Sequence, residues 1–267
     1  MVSYITEFLQ TTPIYSPIMI IILISVGFIV GFINTLAGMA TALSYALFMA
    51  MGMPINIANG TTRFGVLAQF AVSSHMFKKS GILDVKLGVK VGIAVAIGSF
   101  IGAKYAALVD PSVMEITMGL MLPIMAFLLL YNQYSKKERK FNVPKEIKLN
   151  LLHILGFILV GVYGGFTHAG AGILIIFGSF YLLKLDMLHA NGLKQLAVVM
   201  YTPVALLIFI YYNQINWPVA LIYSIGNIAG GVVASKLAIK KGIGLINISV
   251  AIAVIAMSIW LIYKQFI

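Results

Sequence analysis

Ala58-Asn59-Gly60-Thr61-Thr62-Arg63 recurs 132 residues later as Ala190-Asn191-Gly192-Leu193-Lys194-Gln195. In each copy the Ala-Asn-Gly is followed within a turn by a cation, Arg63 or Lys194, in an otherwise apolar run. At the same spacing Thr35-Leu36-Ala37-Gly38 faces Thr167-His168-Ala169-Gly170. The chain therefore reads as two related halves, each setting a positive charge where lipid or protein interior is expected. A cation within a membrane segment is costly, and it marks a substrate or ion path by default.

Composition fixes the class. Of 267 residues, 61% are hydrophobic and 9% charged, against roughly a quarter charged in soluble domains. A hydrocarbon core of about 30 Å takes about 20 apolar helical residues to cross. Ten apolar segments can be read, at 14–36, 40–53, 55–77, 86–109, 112–134, 150–167, 171–185, 188–212, 217–236 and 243–264. None shows the alternation of a barrel strand. The expectation is an all-α polytopic membrane protein. With no cysteine, disulfides and thiolate sites are excluded. The histidines do not cluster at ligand spacing, so neither a metal nor another cofactor is expected. Met1 to Thr12 lacks a basic n-region, and no cleavable signal is expected.

The net charge of +11 is a topology signal. If all ten segments cross, fourteen of the eighteen Lys and Arg residues fall in loops on one face. They are Lys78, Lys79, Lys86 and Lys90, six in the central linker, Lys184, and Lys236, Lys240 and Lys241. By the positive-inside rule that face is cytoplasmic and both termini lie outside. Nucleic acid is not an expected partner; the lipid bilayer and a small anionic substrate are. The basic linker 135–149 separates a first transmembrane repeat, 1–134, from a second, 150–267. Five segments per repeat is an odd number, so the second must enter the membrane from the opposite side. Inverted-topology repeats are characteristic of secondary transporters, with the site at the repeat interface.

Segments 40–53 and 171–185 are short, and each follows an uncharged, Gly-containing joint, Asn34 to Thr41 or Gly164 to Gly172. Irregular backbone at membrane depth must be buried in protein or line a cavity. The first two segments of each half are therefore either two crossings or a re-entrant hairpin. Each joint opens a helix whose N-terminal N–H groups suit an anion. Gly38, Gly170 and Gly172 allow close approach to the backbone, and Asn34, Thr35, Thr41 and Thr167 add polar side chains. The alternative for the glycines is close helix packing. Arg63 and Lys194 either meet an anion or cap carbonyls of a neighbouring joint. Asn59 and Asn191 either cap helices or donate to a ligand. His168 is the histidine inside a joint, suited to bind an anion or carry a proton. No carboxylate stands in mid-span, which argues against a cation pump.

Taken together these stretches resemble the TauE/SafE sulfite-exporter family. The resemblance rests on G-F-I-N-T-L-A-G (Gly31 to Gly38), P-I-N-I-A-N-G-T-T (Pro54 to Thr62), G-G-F-T-H-A-G-A-G-I-L-I-I (Gly164 to Ile176) and H-A-N-G-L-K (His189 to Lys194). Small-residue runs at Gly98 to Ala103 and Gly226 to Gly231 add to it. The family tends to carry a glycine run after its first A-G, where this chain has Met39-Ala40-Thr41-Ala42. The resemblance implies export of sulfite, a sulfonate such as sulfoacetate, or a related organosulfur anion across a prokaryotic cytoplasmic membrane. It also brings Thr61 into the candidate site. A passive anion channel, or a membrane-embedded enzyme using His168, are the alternatives.

Overall fold

In lipid every backbone N–H and C=O must find a partner within the protein, which favours helices. The computed structural model describes residues 2–134 and 147–241, and all regular elements there are helical. A ten-residue helix, α1 (Val2–Thr11), comes first; it was not among the expected segments. Then follow α2 (Pro17–Leu36), α3 (Thr41–Ala50), α4 (Ile55–Lys79), α5 (Val85–Leu108) and α6 (Pro111–Tyr134). The second half holds α7 (Leu151–Phe166), α8 (Ala171–Phe177) running on into a π-helical turn (Gly178–Leu182), α9 (Met187–Tyr211) and α10 (Trp217–Lys241). Nine of the ten expected segments are thus helical. The tenth, 243–264, and most of the linker lie outside the described residues.

Local chemistry sets the helix starts. Ser16 accepts from the Met19 N–H ahead of Pro17 at the first helical position. Asp84, Asn150 and Asp186 cap α5, α7 and α9 through their side-chain oxygens. The Asn216 side chain accepts from the Val219 N–H at the start of α10.

The elements keep the spacing seen in the sequence. Helices α4 and α9 start and end 132 residues apart, at Ile55 and Met187 and at Lys79 and Tyr211. Left-handed backbone recurs at the same interval, at Gly38 and Gly170, Gly52 and Lys184, and Gly81 and Asn213.

Close contacts fix the helix directions. Helix α2 runs parallel to α10: a Cβ on Gly226 would lie 2.0 Å from the Ile24 carbonyl oxygen, and one on Gly230 2.1 Å from that of Phe28. Helix α5 runs parallel to α7 in the same way. Cβ atoms on Gly98 and Gly102 would lie 1.9 Å from the carbonyl oxygens of Ile158 and Val162. The facing glycines Gly27, Gly31, Gly161 and Gly165 are equally close to the partner backbone. Small residues four apart on both helices bring the backbones together, since lipid supplies no hydrophobic drive between helices. Helix α4 lies parallel to α10, with Gly65 against Tyr223 and Gly231 against Gln69. It lies antiparallel to α9, with Gly60 against Phe209 and Gly192 against Phe77. Helices α2, α4 and α10 therefore share one direction, and α5, α7 and α9 share the opposite one.

The surface is apolar and the centre polar. Ile21, Phe100, Leu120 and Leu159 are all more than half exposed. Asn34, Arg63, Gln69, Lys194, Gln195 and Asn227 are buried. Four helices, α2, α5, α9 and α10, are long and apolar enough to cross a membrane. Helix α3, by contrast, has ten residues, about 15 Å at 1.5 Å per residue, half the hydrocarbon thickness. It starts beside the end of α2 and leads directly into α4, so it runs back along its predecessor as a re-entrant limb.

Replacing Gly98 by Leu should lower stability by about 2 kcal/mol or more through overpacking against the α7 backbone, measured as a lower melting temperature in detergent. Gly81→Asn should be close to neutral. Nothing lies within 4 Å of its Cβ position, and Asn213 already takes the same backbone conformation in the other half.

Candidate functional site

Helices α2 and α7 both stop inside the protein. The last four carbonyls of a helix lack intrahelical partners, and its C-terminus carries about half a unit of negative charge. How these groups are satisfied defines the site.

At the first joint, between α2 and α3, the Lys194 ammonium donates to the carbonyls of Asn34 at 2.9 Å and Thr35 at 2.8 Å. The Gln195 amide adds a second bond to Thr35 O at 3.0 Å and also donates to Asn191 Oδ1 at 3.2 Å. Asn34 folds across the break: its Oδ1 accepts from the Ala40 N–H at 2.6 Å and its Nδ2 donates to Thr41 Oγ1 at 2.9 Å. The Thr35 hydroxyl donates back to Gly31 O and accepts from Gln69 Nε2.

At the second joint, between α7 and α8, Arg63 Nη1 donates to Gly164 O at 3.2 Å and Nη2 to Gly165 O at 2.5 Å. Asn59 Nδ2 donates to Phe166 O at 2.7 Å. The Tyr45 hydroxyl reaches both Asn59 Oδ1 and the Thr167 carbonyl. Tyr163 donates to Ala169 O at 2.7 Å, and Tyr201 Oη lies 2.5 Å from His168 Nδ1. The cations rest on aromatic rings as well, Arg63 on Phe209 at 4.9 Å and Lys194 on Phe70 at 5.5 Å.

Each cation thus caps the broken helix of the other half. That is the carbonyl-capping alternative, and these contacts involve no bound anion. The two joints touch: a Cβ on Gly38 would lie 2.7 Å from Gly172 Cα, and the reverse holds for Gly172. Gly38 and Gly170 have φ of +80° and +84°, and His168 has +55°. Glycine takes that conformation freely, whereas a side chain is strained there.

Asn34, Thr35, Gly38 and Thr41 therefore sit together in the first joint, Thr167, His168, Gly170 and Gly172 in the second, and Asn59, Arg63, Asn191 and Lys194 bind or flank them. Thr61 stands apart, its hydroxyl accepting from the Asn216 N–H at the start of α10. Tyr45, Gln69, Gln195 and Tyr201 belong to the site and were not among its expected members. Their signal was a polar group in mid-span, which was followed for the cations and not for amides or phenols.

The charge balance is one-sided. Arg63 and Lys194 are wholly buried, and among the described residues no Asp or Glu is buried. Each cation outweighs the roughly half unit of negative charge of the helix end it caps. The starts of α3 and α8 add positive ends, so the centre is electropositive. Several buried polar atoms lack partners, among them Arg63 Nε, Thr167 Oγ1 and Asn191 Nδ2.

Comparison with known proteins agrees with this arrangement. Two proteins of Xylella fastidiosa, both named "Probable membrane transporter protein", are similar over 211 residues, 78% of this chain and 78% of each of theirs. The one from strain Temecula1 / ATCC 700964 is 24% identical and the one from strain 9a5c is 23% identical. No solved structure matches. The profile described as "Sulfite exporter TauE/SafE" matches residues 23–261, spanning both joints and both Ala-Asn-Gly copies. The exposed apolar helices and these matches together identify an integral, multi-pass membrane transporter, and the chain belongs to the TauE/SafE sulfite exporter family.

Proposed function

We propose that this protein is a secondary transporter that exports a small oxyanion, with sulfite, a sulfonate such as sulfoacetate, or a related organosulfur anion as substrate. The observation that carries the reading is the buried centre, which holds two cations and, among the described residues, no carboxylate. An interior with net positive charge is costly unless an anion joins it. The sulfur chemistry comes from the family, and the electropositive centre supports it.

In this proposal the halves are inverted repeats that rock against each other around the meeting point of Gly38 and Gly172. The recurrence of helix limits and left-handed residues at one spacing, with α4 and α9 antiparallel, supports inversion. So does the exchange of residue types at equivalent helix ends. Lys79 closes α4 where Tyr211 closes α9, as a cytoplasmic basic end and an outer aromatic belt would require. His168, paired with Tyr201, is the proposed proton-responsive group.

Both Lys79 and Tyr211 are exposed, and the chain has no cysteine. In intact cells, Tyr211→Cys should react with a membrane-impermeant maleimide and Lys79→Cys only after permeabilisation. Labelling of both from one side would end the inverted arrangement.

In proteoliposomes, labelled sulfite or sulfoacetate efflux should saturate and should accelerate when unlabelled anion is present on the opposite side. A flux that rises linearly, without that acceleration, would identify a channel. Sulfite flux by His168→Gln should lose the pH dependence of the wild type. An unchanged pH profile would remove His168 from coupling.

A further inference from the structure

Arg63 and Lys194 do the same structural task at the two joints, yet one is an arginine and the other a lysine. A lysine is sufficient for that task, because Lys194 alone holds both Asn34 O and Thr35 O. The guanidinium brings something the capping does not use. It has five N–H donors in one plane. Nη1 and Nη2 place one edge on the carbonyls of Gly164 and Gly165, and Phe209 lies against one face. The side edge, made of Nε–H and the second hydrogen of Nη2, remains. Nε is buried and has no acceptor. On the same joint the Thr167 hydroxyl is also buried without a partner, while its backbone carbonyl is held by Tyr45.

We propose that the side edge of Arg63 is the oxyanion-binding group of this transporter, while Lys194 serves only to cap α2. The ligand class follows from the geometry. Two parallel N–H donors match two oxygens on one atom, as in sulfite, a sulfonate or a carboxylate. A halide, with a single atom, cannot answer both. The Thr167 hydroxyl would reach a third oxygen or the substituent. The inference rests on the reading that a small anion passes through the centre, and it decides which residue takes the charged group.

The first joint offers a weaker rival. Gln195 Nε2 donates to Thr35 O and to Asn191 Oδ1. A backbone carbonyl can only accept, so both amide orientations are fixed and Asn191 Nδ2 is left as an unanswered donor. It is a single neutral N–H group, without the charge or the paired geometry of the arginine edge.

The molecule supplies its own control. Thr62 and Arg63 are equivalent, at the 132-residue spacing, to Lys194 and Gln195. The double variant Thr62→Lys, Arg63→Gln therefore installs at the second joint the pair that already closes the first. It keeps the cap and removes the guanidinium edge. Binding is measured on purified detergent-solubilised protein by thermal shift and titration with sulfite, methanesulfonate and chloride. In the wild type, sulfite and methanesulfonate should stabilise and chloride at equal concentration should not. The double variant should melt near the wild type and bind sulfite at least about tenfold more weakly, the loss of a charge-assisted bidentate contact. Arg63→Lys should behave alike and decides the matter if the double variant does not fold. Asn191→Leu should keep wild-type affinity within about twofold, because it removes only the rival donor. Undiminished sulfite binding by either arginine variant, an equal response to chloride, or loss of binding in Asn191→Leu would overturn the assignment. A folded wild type with no anion response at all would overturn the proposed function and this inference together. A wild type that responds while the arginine variants bind as well as it does would overturn this inference alone.

Discussion

A helix that ends in the middle of a membrane protein leaves carbonyls that water cannot reach, each costing several kcal/mol if unanswered. Here α2 and α7 both end that way, and the groups that answer them come from across the molecule. Lys194 on α9 caps α2, and Arg63 with Asn59 on α4 caps α7. Much of the rest follows from this exchange. The cations must be buried to reach the carbonyls. The aromatic rings of Phe209 and Phe70 receive them in place of carboxylates. The joints are drawn close enough that Gly38 and Gly172 meet backbone to backbone.

Packing serves the same exchange at a larger scale. The α2–α10 and α5–α7 pairs are held by glycines that let carbonyl oxygens approach to within what a single Cβ would occupy. Such contacts resist sliding, so each broken helix is fixed along a full-length neighbour. The joints meet through few atoms by comparison. That contrast places stiffness in the helix pairs and adjustability at the centre, where irregular backbone is tolerated because it is enclosed by protein.

The helices and their limits were legible because hydrophobic runs, caps and loop charges are local properties. Nine segments could be placed from them, and so could the short third and eighth helices with their glycine joints. Helix α1 escaped notice, since ten residues with Ile5 and Phe8 exposed and Leu9 buried carry no span-length signal. The centre was legible in part. The positions of Arg63, Lys194, Asn59 and His168 stood out as polar groups in apolar runs, but what they bind did not. Capping of α2 by Lys194 joins residues about 160 apart in sequence, and nothing local specifies that pairing. Tyr45 and Tyr201 were hidden because a tyrosine in a span reads as apolar filler until its hydroxyl is seen to meet the Thr167 carbonyl or His168. Thr61 looked central from its neighbours in sequence, yet it faces the start of α10.

The crossed capping also bears on how such a chain could arise. A half-length protein ending after its fifth segment would hold one broken helix and one spare cation, and could not bring its own cation to its own joint with the geometry seen here. It would need a second copy inserted the other way up, each copy completing the other. The ancestor implied is a dual-topology dimer whose gene later doubled and fused. Fusion then freed the halves to diverge, one keeping arginine and the other lysine at the cap, with basic residues on one helix end and aromatic residues on its counterpart. Their union left a molecule that can no longer be divided without exposing both broken helices to lipid.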